Sequence, residues 1–155
     1  MSLLAVSHWK QRQQADCLVA CVAMILEYLQ VPISYERLTR LLRTMPIGTF
    51  FRNLRYLEAA LGLSVTVGYG DLQVLETHLE TGLPIIVSVN TKLLSYWNNQ
   101  ETIHALVVMG MDEAQIYVND PAYADTPKAI PLAEFELAWF EEKELYAVIG
   151  LILSQ

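Results

Sequence analysis

The sequence predicts an α+β fold in which N-terminal helices pack on an antiparallel β-sheet. Three observations carry this. Helical patterns fill the first part of the chain, strand patterns gather mostly later and follow one another through hairpins, and 54% of residues are hydrophobic against 17% charged, which favours a large packed core. The same balance excludes an intrinsically disordered chain, which lacks the apolar surface to offset its ordering entropy. At 155 residues, with no repeat, low-complexity tract or Pro/Gly-rich linker, the chain reads as one domain, residues 1–155.

The elements follow in order. Cys17–Gln30 is a helix so apolar, with Val19, Ala20, Ala23, Met24, Ile25 and Leu26, that it belongs in the centre of the domain. Val31-Pro32 stops it, because the residue before proline avoids helical backbone. Ser34 is an N-cap for a short helix to about Arg43. A third helix spans about Thr49–Leu61 and ends at Gly62, in C′ position. Leu63–Val67 alternates like a strand, Asp71–Thr81 is a helix closed by Gly82, and Pro84–Asn90 is a buried strand. Residues 91–102 are polar and aromatic and form a loop, with Tyr96 and Trp97 as candidates for a lid. Ile103–Met111 and Gln115–Asp120 are strands around Asp112-Glu113-Ala114. A helix at about Leu132–Phe140 and a strand at Leu145–Leu153 complete the chain.

Several function classes fall away early. The apolar run Leu18–Leu26 is about half of the roughly 18 residues that a membrane span needs. In MSLLAVSHWKQRQQ the basic residues follow the apolar stretch, the wrong order for a secretory signal, so a cytoplasmic location is expected. A net charge of −7 repels a phosphate backbone and argues against a nucleic-acid partner.

Cys17 stands where the turn after Asp16 meets the buried helix. Free backbone N–H groups and the positive end of the helix dipole stabilise an anion there. A thiolate so placed has a depressed pKa and raised nucleophilicity, and the same N–H groups suit the oxyanion of a tetrahedral intermediate. The plainer reading of Cys17 alone is a small core residue. Cys21, one turn deeper between Ala20 and Val22, reads as core. A disulfide between residues four apart on a helix is strained, so both are expected as reduced thiols. Two cysteines and a histidine also lack the spacing and the fourth ligand of a zinc site, so neither metal nor cofactor is expected.

Of three histidines, His78 lies mid-helix and reads as solvated, while His8 in the N-terminal arm has no assignable role. His104 is the polar exception in the apolar strand HALVVMGM. Its partner depends on parity. If the Asp112–Ala114 loop is odd in length, Asp120 falls opposite Leu106, diagonal to His104 and on its face. If even, Asp120 turns away and Asn119 takes that side. Either side chain could orient the imidazole. Cysteine at a helix start, histidine on a central strand and an acid or amide on the next strand form a nucleophile, a base and an orienter. Gln11, six residues before Cys17, adds an amide able to complete an oxyanion hole.

With these residues in view the chain resembles the peptidase C39-like family, papain-like cysteine peptidases best known as leader-cutting domains of bacteriocin exporters. The resemblance lies in Gln11-Arg12-Gln13-Gln14-Ala15-Asp16-Cys17, continuing through Ala20 and Met24 to Tyr28. It extends through His104-Ala105-Leu106-Val107-Val108 to Tyr117-Val118-Asn119-Asp120-Pro121-Ala122, and more weakly from Ile130 to Trp139. It implies a papain-like fold with Cys17 as nucleophile, His104 as general base, Asp120 as orienter and Gln11 as oxyanion donor. It therefore selects Asp120 over Asn119 and an odd loop. It also implies a cysteine peptidase that hydrolyses peptide bonds through a thioester acyl-enzyme, acting on a peptide or protein substrate such as a leader or precursor, with a separate transporter or precursor as partner. The alternatives are a non-catalytic papain-like peptide-binding module and an acyl or amide transferase using the same three residues. Two positions depart from the family pattern: Leu18 replaces the glycine that often follows the cysteine, and Gln30 replaces a glycine two residues after Tyr28. No transporter or ATP-binding segment accompanies these motifs, so a free-standing domain is expected.

Overall fold

A computed structural model describes residues 3–152. The first helix, α1, spans Cys17–Tyr28 and follows a 3-10 turn at Gln14–Asp16. Two short helices come next, α2 at Tyr35–Leu41 and α3 at Tyr56–Leu61, then strand β1 at Leu63–Tyr69, helix α4 at Leu72–Glu80 and strand β2 at Ile85–Asn90. The second half contains β3 (Ile103–Met111), β4 (Gln115–Asn119), β5 (Lys128–Pro131), α5 (Leu132–Phe140) and β6 (Leu145–Leu151). Leu153, the expected end of the last strand, lies outside the described residues. All pairings are antiparallel, in the order β1-β6-β2-β3-β4-β5.

The expected packing of N-terminal helices on a sheet holds for one face. Helices α1, α2 and α3 form a core there with Ile86, Ala105, Val107 and Ile149. The opposite face is covered too, with Leu75 of α4 and Phe135 and Trp139 of α5 meeting Val87, Leu106 and Val108. This two-sided covering explains why β2 carries apolar residues on both its faces: five of its six residues are buried. In α1, every residue from Leu18 to Leu26 is buried, and each fully buried Leu, Ile or Met contributes about 1.5–3 kcal/mol. Among the described residues no helix is long and apolar enough to cross a membrane.

The caps show why the helices stop and start where they do. Ser34 Oγ accepts from Arg37 N–H at 3.1 Å, and an Asp71 carboxylate oxygen accepts from Val74 N–H at 2.9 Å. Gly62 and Gly82 both take positive φ, 66° and 81°, where a Cβ is costly. The third helix is shorter than expected. Its first part is a 3-10 turn at Phe51–Arg55, and α-helix begins only at Tyr56. Helix α1 also stops earlier than expected, at Tyr28, with Leu29 as C-cap and Gln30 at φ 62°. Gln30 N–H donates to Glu27 carbonyl and Val31 N–H to Leu26 carbonyl, at 3.0 and 2.8 Å. That pair of bonds is the Schellman closure, which favours glycine at the position Gln30 occupies. Gln30→Gly is therefore expected to stabilise the domain by about 0.5–1 kcal/mol, the relief of left-handed strain less the added entropy of the unfolded chain. A thermal melt checks this through a rise of roughly 2–4 °C. An unchanged or lower midpoint would refute it.

Strand β5, Lys128–Pro131, has no counterpart among the expected elements. It forms an edge strand on β4, where Pro131 ends the pairing and its missing N–H does no harm. The polar segment after β2 is no lid either. It makes 3-10 turns at Thr91–Leu93 and Ser95–Trp97 that bury Leu94 and Trp97 in the core.

The β3–β4 hairpin corrects the odd-loop expectation and shows how the site survives it. The turn is even: Met111 pairs with Ile116, and Asp112 N–H donates to Gln115 carbonyl at 2.9 Å. Taken alone, that register would turn Asp120 away from His104. A β-bulge between Val108 and Gly110 adds one residue, Met109, and resets the register so that Val108 pairs with Val118 and Val107 with Asn119. The face inversion is visible in packing: Met109 joins the α1 core while Met111 joins the opposite one. The bulged Met109 carbonyl accepts from Leu4 N–H at 2.8 Å.

Candidate active site

Cys17 is the first residue of α1, reached through the 3-10 turn at Gln14–Asp16. Asp16 makes no side-chain cap. Its buried carboxylate instead accepts from Tyr35 O–H at 3.3 Å. Tyr35 is stacked on Trp9 and covered by the Arg12 guanidinium 4.2 Å from its ring centre. Burial, and then the Asp16 charge, push the Tyr35 phenol up. This group fastens the segment before Cys17 to α2. Leu18 points its side chain into the core.

His104 lies near the start of β3, opposite Val89 of β2, and is buried. Its Nε2 bonds Asp120 Oδ1 at 2.7 Å, which leaves the other ring nitrogen free to act on the Cys17 thiol. Burial alone would raise the thiol. The His104 hydrogen bond and charge, with N–H donation from Ala105 and Leu18, outweigh it and hold Cys17 below the ordinary thiol value. Burial likewise works against a charged imidazole, but Asp120 and Cys17 raise His104 to about 9. Between the two values the pair is thiolate and imidazolium.

Asp120 is fully buried and saturated with donors. Oδ1 also accepts from Ala122 N–H at 2.8 Å, and Oδ2 accepts from Tyr96 O–H at 2.6 Å and Trp97 Nε1–H at 3.0 Å. Burial would raise its carboxyl; the His104 bond and charge, then Tyr96 and Ala122, hold it low. The Trp97 ring lies edge-on to His104 with centroids 4.9 Å apart. Asn119, the alternative by parity, points away and donates from Nδ2 to Val6 carbonyl at 2.9 Å.

Three of the four expected site residues thus meet: His104 is hydrogen-bonded to Asp120 and lines one cleft with Cys17. Gln11 stands apart from it. Its Nε2 donates to the carbonyls of Gln13 and Gln14 at 2.9 and 3.0 Å, and its Oε1 is buried without a partner. Both cysteines are free, and Cys21 is fully buried, its thiol pushed up by burial and by the charges of Cys17 and Asp120. His78 is half-buried beside Tyr146 rather than solvated. Sequence reasoning missed three partners of Asp120: Tyr96, Trp97 and His8, whose Nε2 donates to the Asp120 carbonyl at 2.7 Å. Among the described residues no group of three or more His, Cys, Asp or Glu side chains is placed to hold a metal ion.

The N-terminal arm follows the acid closely. Besides the Leu4, Val6 and His8 contacts, Gln11 N–H donates to Pro121 carbonyl at 2.9 Å. The sulfur and the imidazole face a cleft of about 340 Å³, whose lining includes Leu18, Ser88, Ile103 and Glu142.

A helix that opens on a cysteine and packs on an antiparallel sheet bearing a histidine is the papain-like fold. The chain belongs to the Peptidase C39 family, whose model matches residues 5–145. Among curated proteins, the lactococcin-G-processing and transport ATP-binding protein LagD of Lactococcus lactis subsp. lactis is 29% identical over 130 residues, 83% of this chain. The chain spans 17% of that relative's length. The peptidase domain of Streptococcus ComA, a bi-functional ABC transporter, aligns with TM-score 0.77 at 19% identity, covering 95% of this chain and 99% of that one. A double glycine motif protease from an AMS/PCAT transporter, solved with its leader peptide, aligns with TM-score 0.76 at 19% identity, covering 97% and 95%.

Proposed function

We propose that this domain is a cysteine peptidase acting on a leader or precursor peptide through Cys17, His104 and Asp120. The observation that carries the reading is the buried row from Asp120 through His104 to a thiol held below its ordinary range at the floor of a cleft. In this scheme the Cys17 thiolate attacks the scissile carbonyl carbon and forms a C–S bond. The tetrahedral oxyanion collapses, the C–N bond breaks, and the imidazolium of His104 gives its proton to the leaving amine. Neutral His104 then takes a proton from water, whose oxygen displaces the sulfur and releases the acid. Asp120 holds the ring orientation and stabilises its charged form.

Gln11 is assigned as an oxyanion donor. With both N–H bonds of its amide engaged to Gln13 and Gln14, this role requires it to exchange one of them for the oxyanion as the intermediate forms. The leader-peptide part of the reading is supported by the relatives, one a processing and transport protein and one a protease solved with a leader.

The test is digestion of a defined peptide mixture, with new termini read by mass spectrometry and Cys17→Ala as control. New termini with the native chain and none with the variant are expected. Peptides bound equally by both and cut by neither would replace the peptidase with a binding module. Products carrying an added amine would replace hydrolysis with acyl transfer.

A further inference from the structure

The cleft beside Cys17 holds one charged side chain that the proposed reaction does not use. Where its walls meet solvent they are apolar, with Ile47 and Ile103 exposed by 86% and 63%. Among the described residues no Lys or Arg lines it, and Glu142 is its one carboxylate. Thiolate and imidazolium cancel, and Asp120 is sealed behind His104, so Glu142 is the one uncancelled charge among the residues that line the cleft. The Glu142 side chain is half-buried and, among the described residues, has no hydrogen-bond or ion-pair partner.

Its backbone is held firmly. Glu142 and Glu144 N–H groups both donate to Trp139 carbonyl, at 2.9 and 3.0 Å, while Trp139 Nε1–H donates to Leu145 carbonyl at 2.8 Å. The two residues that follow, Lys143 and Glu144, take φ of 59° and 60° without being glycine. Left-handed backbone at two consecutive side-chain-bearing residues persists only where the surroundings impose it, and such strain collects at binding sites. Burial, and then Glu141, push the Glu142 carboxyl up, with Lys143 offsetting part of this. A carboxylate with no ion-pair partner in a partly dry cleft is costly unless a ligand supplies one.

We propose that Glu142 is a specificity-determining residue that selects substrates carrying a lysine or arginine beside the scissile bond. The inference rests on the peptidase reading and names its substrate class. The cationic head pairs with Glu142, and the aliphatic stem lies along the apolar wall at Ile103 and Ile47.

Two readouts on the full chain test it, each comparing native protein with Glu142→Gln and Glu142→Lys. The first is the rate at which Cys17 is modified by small methanethiosulfonates of three kinds: aminoethyl (cationic), methyl (neutral) and sulfonatoethyl (anionic). The cationic-to-anionic ratio is expected to fall about tenfold in Glu142→Gln, the size of effect of one half-buried charge in the same cleft, and to fall further in Glu142→Lys. The second is cleavage of peptides that differ only in Lys, Gln or Glu at each position flanking the cut. The native chain is expected to favour Lys over Glu about tenfold in kcat/KM at one position, with the preference lost in Glu142→Gln and reversed in Glu142→Lys. Cleavage without charge preference, or equal reagent ratios in the native chain and Glu142→Gln, overturns the inference and leaves the peptidase standing. An unreactive Cys17 with no cleavage overturns both.

Discussion

Replacing His104 with alanine is expected to slow alkylation of Cys17 by iodoacetamide about 100-fold at pH 6. In the native protein the imidazolium offsets the burial that would otherwise raise the thiol. Without it only the N–H groups of Leu18 and Ala105 oppose burial, and the thiol returns to the free value of about 8.5 or above. At pH 6 roughly 0.3% of such a thiol is ionised. A more basic thiolate is intrinsically more nucleophilic, which returns part of that loss. The pH profiles carry the sign. A lowered pKa extends the thiolate to lower pH, so the native rate is flat above the lowered value and falls only as pH drops through it. The variant's rate climbs about tenfold per pH unit over the same range. Mass mapping should find Cys21 unlabelled in both, since it is fully buried with a raised pKa. Native-like rate and profile in His104→Ala would remove the ion pair from the mechanism.

The second large effect is on stability. Asp120→Ala strips an acceptor from four donors at once: His104 Nε2, Tyr96 O–H, Trp97 Nε1–H and Ala122 N–H. Breaking a buried charged network from one side costs about 3–5 kcal/mol, because the remaining donors stay dry and unpaired. For a chain of this size that is a fall of roughly 10 °C in Tm. Asp120→Asn is expected to lose less. It keeps one acceptor, and the Tyr96 hydroxyl can turn to accept from the new amide, while the indole of Trp97 can only donate. Acid titration separates charge from shape. The folded carboxyl lies below its unfolded value, so its stabilisation is present above about pH 3.9 and lost as pH falls through the folded value. The gap between native protein and Asp120→Asn should therefore close in acid. Urea melts from pH 7 down to pH 3 measure it. An Asp120→Ala melt within about 1 kcal/mol of native would show that the donors are rehydrated rather than stranded.

Local chemistry was legible in the sequence and distant contact was not. The buried helix after Asp16, the cap at Ser34 and the stops at Gly62 and Gly82 depend on neighbours within a few residues. So does the apolar run of β2. Met109 could not be found this way, because a bulge leaves no mark in an alternation of small and large apolar residues. The parity argument identified the question and the two candidate partners, but its answer lay in that extra residue rather than in the turn. Tyr96 and Trp97 read as a solvent loop because their neighbours are polar. Their destination, a carboxylate more than twenty positions on, is a property of the folded chain. His8 is farther still from Asp120, and the edge strand β5 exists only because β4 offers it a partner.

The N-terminal arm closes a circuit. From its bonds to the Asp120 and Pro121 carbonyls the covalent chain runs a few residues to Cys17, then across the imidazole and back to the acid. The sulfur and the carboxylate are thus tied by two independent tethers, one of side chains and one of backbone. Cutting the first, as His104→Ala does, leaves the second to keep the ends in place. The variant should lose its proton carrier without losing its shape.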